Sequence, residues 1–169
     1  MPGLVFLDVD GVLNTDMMTA SHPSQLHPKL MGRLVVILDR SKANVVLSST
    51  WRQSSSYMEI LWKYLGEAAA ASGVEDVKRV FIGSTPIHTP TENETRESTR
   101  VREIISYLEE NPPLARTRVA VIDDLALSVI EEAGGESSAA KIKFFKVNPE
   151  SGLSSRNVDD ILEHLLSKC

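Results

Sequence analysis

Five short apolar runs constrain this chain more than any other feature: Leu4 to Leu7, Asn44 to Ser48, Val77 to Gly83, Arg118 to Ile122 and Lys141 to Val147. Each is apolar nearly throughout instead of alternating, which is the pattern of strands buried on both faces of a parallel sheet. Between them the periodicity changes to three and four. Leu26, Leu30, Leu34, Ile37 and Leu38 share one helical face, with Pro28 tolerable in the first turn. Ile60, Leu61, Tyr64, Leu65 and Ala68 form a second face, and Val101, Ile104, Ile105 and Leu108 form a third that Asn111-Pro112-Pro113 stops. Leu125, Val129, Ile130 and Ala133 give a short fourth ending at Gly134-Gly135. A last helix near Val158 to Ser167 starts from a cap at Ser154 or Ser155. Strand alternating with helix implies βαβ units, whose right-handed crossovers put helices on both faces of one sheet. The expected fold is α/β, a three-layer α/β/α sandwich around a mostly parallel five-stranded sheet. At 169 residues one domain, residues 1–169, is expected, because the polar loops Asn14 to His27 and Gly83 to Thr99 are too short to make another.

Composition bounds what such a domain can meet. No apolar run approaches the roughly 18 residues needed to span a bilayer, and no charged-then-apolar leader opens the sequence, so no membrane partner is expected. The single cysteine, Cys169, allows no disulfide within these residues, which suits a reducing, cytoplasmic setting. A net charge of −5 argues against broad nonspecific binding to nucleic acid, which needs clustered Lys and Arg. His22, His27, His88 and His164 are scattered without ligand spacing, which argues against zinc. Trp51 and Trp62 read as packing residues before they read as platforms for a base. Nothing in the sequence fixes an oligomeric state.

In parallel sheets ligands bind beyond the carboxyl ends of the strands. The residues there are Asp8-Val9-Asp10, Ser48-Ser49-Thr50, Gly83-Ser84-Thr85-Pro86 and Asp123-Asp124. Side chains two apart on a strand point the same way, so Asp8 and Asp10 can face one cleft. If the fourth strand lies beside the first, Asp123 and Asp124 join them, and acids this close repel strongly unless a cation sits among them. Oxygen ligands alone favour a hard ion, so Mg²⁺ is the expected cofactor. With the ion present, one aspartate can attack phosphorus and form an aspartyl phosphate, and Asp10 is placed to protonate the leaving oxygen and then activate water. Ser48 and Ser49 offer donors to a phosphate. Arg52 follows at once, and Arg100 opens the third helix, where a guanidinium can reach phosphoryl oxygens.

DxD after the first strand, Ser after the second, a basic residue before the fourth and paired acids after it together resemble the haloacid dehalogenase (HAD) superfamily of aspartate-dependent phosphatases. LDVDGVLN, VVLSSTWR, the GSTP turn, the RVREI helix start, VIDD and VNPESGLS resemble in particular the small HAD domain of the Swiss Army Knife RNA repair proteins, over nearly the whole chain. Asn148 departs from that pattern, where an acid is expected before Pro149. The resemblance implies a Rossmannoid HAD core with a minimal cap and an open site. It makes Asp8 the nucleophile and a Mg²⁺ ligand, and Asp10 the acid and base that also lends its carbonyl to the metal. Ser48 would bind the phosphoryl group, Asp124 would hold the metal directly, and Asp123 would support it. Arg100 ranks first for the basic role, ahead of Arg102 and Arg52. The implied function is a phosphomonoester hydrolase whose partner is a phosphorylated substrate, either a nucleic-acid end or a small molecule. A phosphoprotein substrate, or a silent phosphate-binding module without turnover, is the alternative.

Overall fold

A computed structural model describes residues 2–133 and 141–167. Strand β1 (Leu4–Leu7) is followed by the short helix α1 (Asp16–Ser21), helix α2 (Pro28–Ser41), strand β2 (Asn44–Leu47) and helix α3 (Ser55–Ala71). Strand β3 (Phe81–Ser84), helix α4 (Arg96–Glu110), strand β4 (Arg118–Asp123), helix α5 (Val129–Ala133), strand β5 (Lys141–Lys146) and helix α6 (Ser155–Leu166) complete the order. The expected end of the fourth helix at Gly134-Gly135, and Cys169, lie outside the described residues.

The strands form one five-stranded sheet in the order β3-β2-β1-β4-β5, and every pairing in it is parallel. Alternation along β1 explains the layers. Val5 and Leu7 pack with apolar residues of α2, α3 and α6, including Leu34, Leu61 and Ile161. Leu4 and Phe6 pack on the other face with Ile104 and Leu108 of α4 and Ile130 of α5. All four β1 side chains are fully buried, so burial on both faces holds for the centre of the sheet. It fails at the edges: β3 has three exposed residues out of four, and β5 alternates with Lys141, Lys143 and Lys146 exposed. Charge on an outer strand discourages edge-to-edge pairing with another chain.

Two element starts and one additional helix depart most from expectation. Val77–Val80, expected as the start of the third strand, is a 3-10 turn, because Asp76 adopts a left-handed φ of 55° and breaks the extended run before Phe81. Arg100 does not open its helix. Thr95 Oγ1 accepts from the Ser98 N–H at 3.1 Å while Ser98 Oγ accepts from the Thr95 N–H at 3.0 Å, so this capping box starts α4 one turn earlier. The loop after β1 also contains α1, six residues with no buried side chain, capped by Thr15. No helix among the described residues is long and apolar enough to cross a membrane.

Candidate active site

Register brings three strand ends level. Leu7 of β1 pairs with Leu47 of β2 and Ile122 of β4, so Asp8, Ser48 and Asp123 leave the sheet side by side. The Asp8 N–H donates to Ile122 O and the Ser48 N–H to Leu7 O, each at 3.0 Å, which carries the ladder one residue past the strands. At Gly11 the chain turns back with a left-handed φ of 76°. Asn14, fully buried, holds this turn: its Oδ1 accepts from the Gly11 N–H at 2.8 Å and its amide donates to Asp10 Oδ1 at 2.9 Å.

Carboxylate oxygens of Asp8, Asp123 and Asp124 lie within 4.8 Å of one another. Asp10 is not among them; its half-buried carboxylate is held by Asn14 at the mouth of the turn. Both oxygens of Asp123 are committed, Oδ2 to Arg100 Nη1 at 2.7 Å and Oδ1 to the Leu125 N–H at 2.9 Å. Asp123 is thereby anchored from two sides at the back of the cluster. Burial pushes the Asp8 carboxyl above its ordinary value, while Arg100, the Val9 amide and the Ser49 hydroxyl pull it back and Asp124 adds repulsion. Burial, with the charge of Asp8, pushes Asp123 up to about 8. A cation would offset the repulsion among these acids, and an all-oxygen donor set matches a hard divalent ion.

The three arginines have separate fates. Arg100 Nη1 lies 3.4 Å from Asp8 Oδ1 as well as bonding Asp123. Its charge is favoured by these carboxylates more than burial opposes it. Arg102 instead clamps Glu94, with Nε to Oε1 at 3.0 Å and Nη2 to Oε2 at 2.8 Å. Arg52 spends all five of its N–H donors on the protein: Nε on Thr85 O, Nη1 on Ser48 O and Ser49 O, and Nη2 on Pro86 O and Glu103 Oε2. No donor of Arg52 is left for a phosphoryl oxygen in this arrangement. It laces the β2 end, the β3 end and α4 together beneath the cleft.

Ser48 Oγ is buried and has no hydrogen-bond partner, whereas Ser49 Oγ accepts from the Trp51 N–H at 3.2 Å. An orphaned buried hydroxyl costs about 1–3 kcal/mol, so its presence beside three acids and an arginine points to a ligand that satisfies it. Trp51 is 1% exposed and stacks on Tyr57 with centroids 4.9 Å apart, so it belongs to the core and offers no surface to a base. His88 leans on α4, its N–H donating to Glu103 Oε1 at 3.0 Å.

Sequence reasoning did not single out Glu103 or Asn14. Glu103 accepts from Arg52 and from the His88 N–H, and lies 4.0 Å from Arg100 Nε; its signal was a position three residues after Arg100 on one helix face. Asn14 stood out in sequence only as the last letter of GVLN and the start of a polar loop.

A family model described as the HAD domain in Swiss Army Knife RNA repair proteins matches residues 4–158. Neither the curated proteins nor the solved structures compared with the chain gave a match. With the match running from β1 into α6, and with clustered aspartates, orphaned serine and bridging arginine at the ends of the central strands, the chain belongs to the HAD domain family of Swiss Army Knife RNA repair proteins.

Proposed function

We propose that this domain is a Mg²⁺-dependent phosphomonoester hydrolase that works through an aspartyl phosphate on Asp8 and acts on phosphorylated nucleic-acid ends. The observation that carries the reading is Arg100 Nη1, which touches both Asp8 and Asp123 beside Asp124 and the unpartnered Ser48 hydroxyl. Membership of a family named for RNA repair favours the nucleic-acid end over a small metabolite.

Asp8 and Asp124 would hold Mg²⁺, with Asp123 fixed behind them and the Asp10 carbonyl as a further ligand; the ion would supply positive charge against the phosphoryl oxygens and the Asp8 carboxylate. Arg100 and the Ser48 and Ser49 donors orient the phosphoryl group so that an Asp8 oxygen faces phosphorus opposite the leaving oxygen. Asp8 forms a bond to phosphorus as the ester P–O bond breaks, and Asp10 delivers its proton to the departing oxygen. Asp10, now a carboxylate, takes a proton from water, which attacks phosphorus and returns Asp8 and inorganic phosphate. The Asn14 amide holds Asp10 in place for both transfers. The two polar loops that follow β1 and β3 are short, and α1 within the first of them buries no side chain, which favours an open site that a bulky strand end can enter.

Phosphate release from p-nitrophenyl phosphate and from 3′- and 5′-phosphorylated oligonucleotides, with and without Mg²⁺, tests the reading. Asp8→Asn should lower kcat on the order of 10³-fold or more, as loss of a covalent nucleophile does, and should trap no phosphoryl group. Turnover that survives in Asp8→Asn, or that ignores Mg²⁺, would refute the mechanism.

A further inference from the structure

Arg100, which contacts Asp8 and Asp123, also lines a cavity of about 440 Å³, of the size that takes a small organic ligand. Thr50, Gln53, Ile87, Arg96, Thr99 and Arg100 are among its walls. The charges of the wall cancel in pairs. Arg52 bonds Glu103 at 2.8 Å, Arg102 bonds the wall residue Glu94 at 2.8 Å, and Arg100 bonds Asp123 at 2.7 Å. Arg96 is the exception: it is exposed and forms no hydrogen bond or ion pair among the described residues. Its acidic neighbour Glu97 does not line the cavity. Thr99, between the two arginines in sequence, is buried, and its hydroxyl has no partner.

Arg96 and Arg100 are four apart on α4, so they project from one helix face with Cβ atoms about 6 Å apart. One guanidinium touches the proposed nucleophile; the other lies one turn outward with no counter-charge among the described residues. A ligand that satisfies both carries two anionic groups separated by roughly the span of one residue of a polymer. Neighbouring phosphates of a nucleic-acid strand have this arrangement. We infer that the cavity is a subsite for the nucleoside next to the cleaved phosphate, and that Arg96 selects strand ends by binding the phosphodiester that follows. The inference rests on the phosphomonoesterase reading above and adds to it a residue that sets specificity. Arg96 meets the adjacent phosphate directly, and the Thr99 hydroxyl supplies a donor between the two anions.

The test compares dinucleotides bearing a terminal 3′- or 5′-phosphate with the matching mononucleotides and with nucleoside 3′,5′-bisphosphates. For one dinucleotide series, kcat/KM should exceed that of the mononucleotide by about tenfold, the value of one charge-assisted contact. In Arg96→Ala this ratio should fall toward one, with partial retention in Arg96→Lys. The slope of log affinity against log salt should drop by about 0.7 on the loss of one single-strand phosphate contact. Binding of the same labelled probes to Asp8→Asn gives a readout that needs no turnover. Equal binding of dinucleotide and mononucleotide by Asp8→Asn, or an unchanged ratio in Arg96→Ala, would overturn the subsite. A dependence on Arg96 seen with the bisphosphate and absent with the dinucleotides would overturn the strand-end assignment. Failure of the chemistry has its own signature, namely no Mg²⁺-dependent release from p-nitrophenyl phosphate, while the preference for dinucleotides in Asp8→Asn binding stands.

Discussion

Gly11 and Asp124 are in direct contact: a Cβ built on residue 11 would stand 2.6 Å from Asp124 Oδ2 and 2.8 Å from its Cγ. The absence of a side chain in the DVDG turn is what allows the aspartate just past β4 to lie over the turn that follows β1.

Gly11→Ala should therefore damage function more than fold. A left-handed φ of 76° costs a non-glycine residue about 1–2 kcal/mol, enough to lower the melting temperature by a few degrees. Displacement of Asp124 should weaken Mg²⁺ binding by at least about tenfold, the loss expected when a metal ligand is reoriented. Calorimetric titration of Mg²⁺ into both proteins, beside thermal denaturation, separates the two effects. Unchanged Mg²⁺ affinity would contradict the proposed ligand role of Asp124.

Metal and pH should act on stability together. Asp123 is pushed from an ordinary 3.8 to about 8 in the fold, so the folded state holds more protons than the unfolded chain between these values. Metal-free stability should then fall as pH rises through that window. On the proposed function Mg²⁺ would offset the carboxylate charge, so its stabilising effect should grow toward the upper end of the window, with proton release on binding. Melting temperatures measured at intervals across the window, with and without Mg²⁺, check this. A thermal shift that shrinks as pH rises would contradict it.

The Arg52–Glu103 pair should matter to stability far more than a surface ion pair. Their side chains are 4% and 7% exposed, and burial already pulls the Arg52 guanidinium below its ordinary pKa. Glu103→Ala leaves that guanidinium without its carboxylate and should cost about 3–5 kcal/mol in urea denaturation. Arg52→Lys should also destabilise the protein, because one ammonium cannot reproduce five N–H bonds directed at two loops and a helix. A loss within the range of exposed pairs would show that the lacing is incidental.

His164 should shape the acid limb of stability. Its Nε2 lies 3.0 Å from Val119 O. Burial lowers its pKa below the ordinary 6.5, with Arg118 and Lys143 adding repulsion. A depressed folded pKa gives stability that is complete above 6.5 and is lost as pH falls through the folded value. His164→Gln, which keeps a donor for Val119 O and cannot charge, should flatten the stability profile on the acid side of neutrality. A profile identical to that of the parent would assign the acid limb to other groups.

The centre of this molecule was more legible in sequence than its periphery. Leu4 to Leu7 is a strand with the bounds its apolar run indicated, and β4 extends only to Asp123 beyond its expected end. Apolar runs report burial on both faces directly, and only inner strands have it. β3 was misjudged at its start because a single left-handed residue, Asp76, outweighs the β propensity of Val77 and Val80. α1 escaped notice because a helix with no buried side chain leaves no apolar periodicity to read. The expected grouping of Asp8, Asp10, Asp123 and Asp124 at neighbouring strand ends holds for three of them, while the Asp10 carboxylate turns to Asn14 instead. The division of labour among Arg52, Arg100 and Arg102 could not be read from sequence, since it depends on which carbonyls and carboxylates surround each guanidinium in space.

The sheet order has a further consequence. β1 has two strands on either side of it, while the least protected segments, β3 and β5, lie at the rims. Breathing motions of a native protein begin where neighbours are few. A transient peeling of either rim therefore leaves Asp8 tethered in register between β2 and β4, and the proposed nucleophile outlasts the fluctuations that first loosen the rest of the domain.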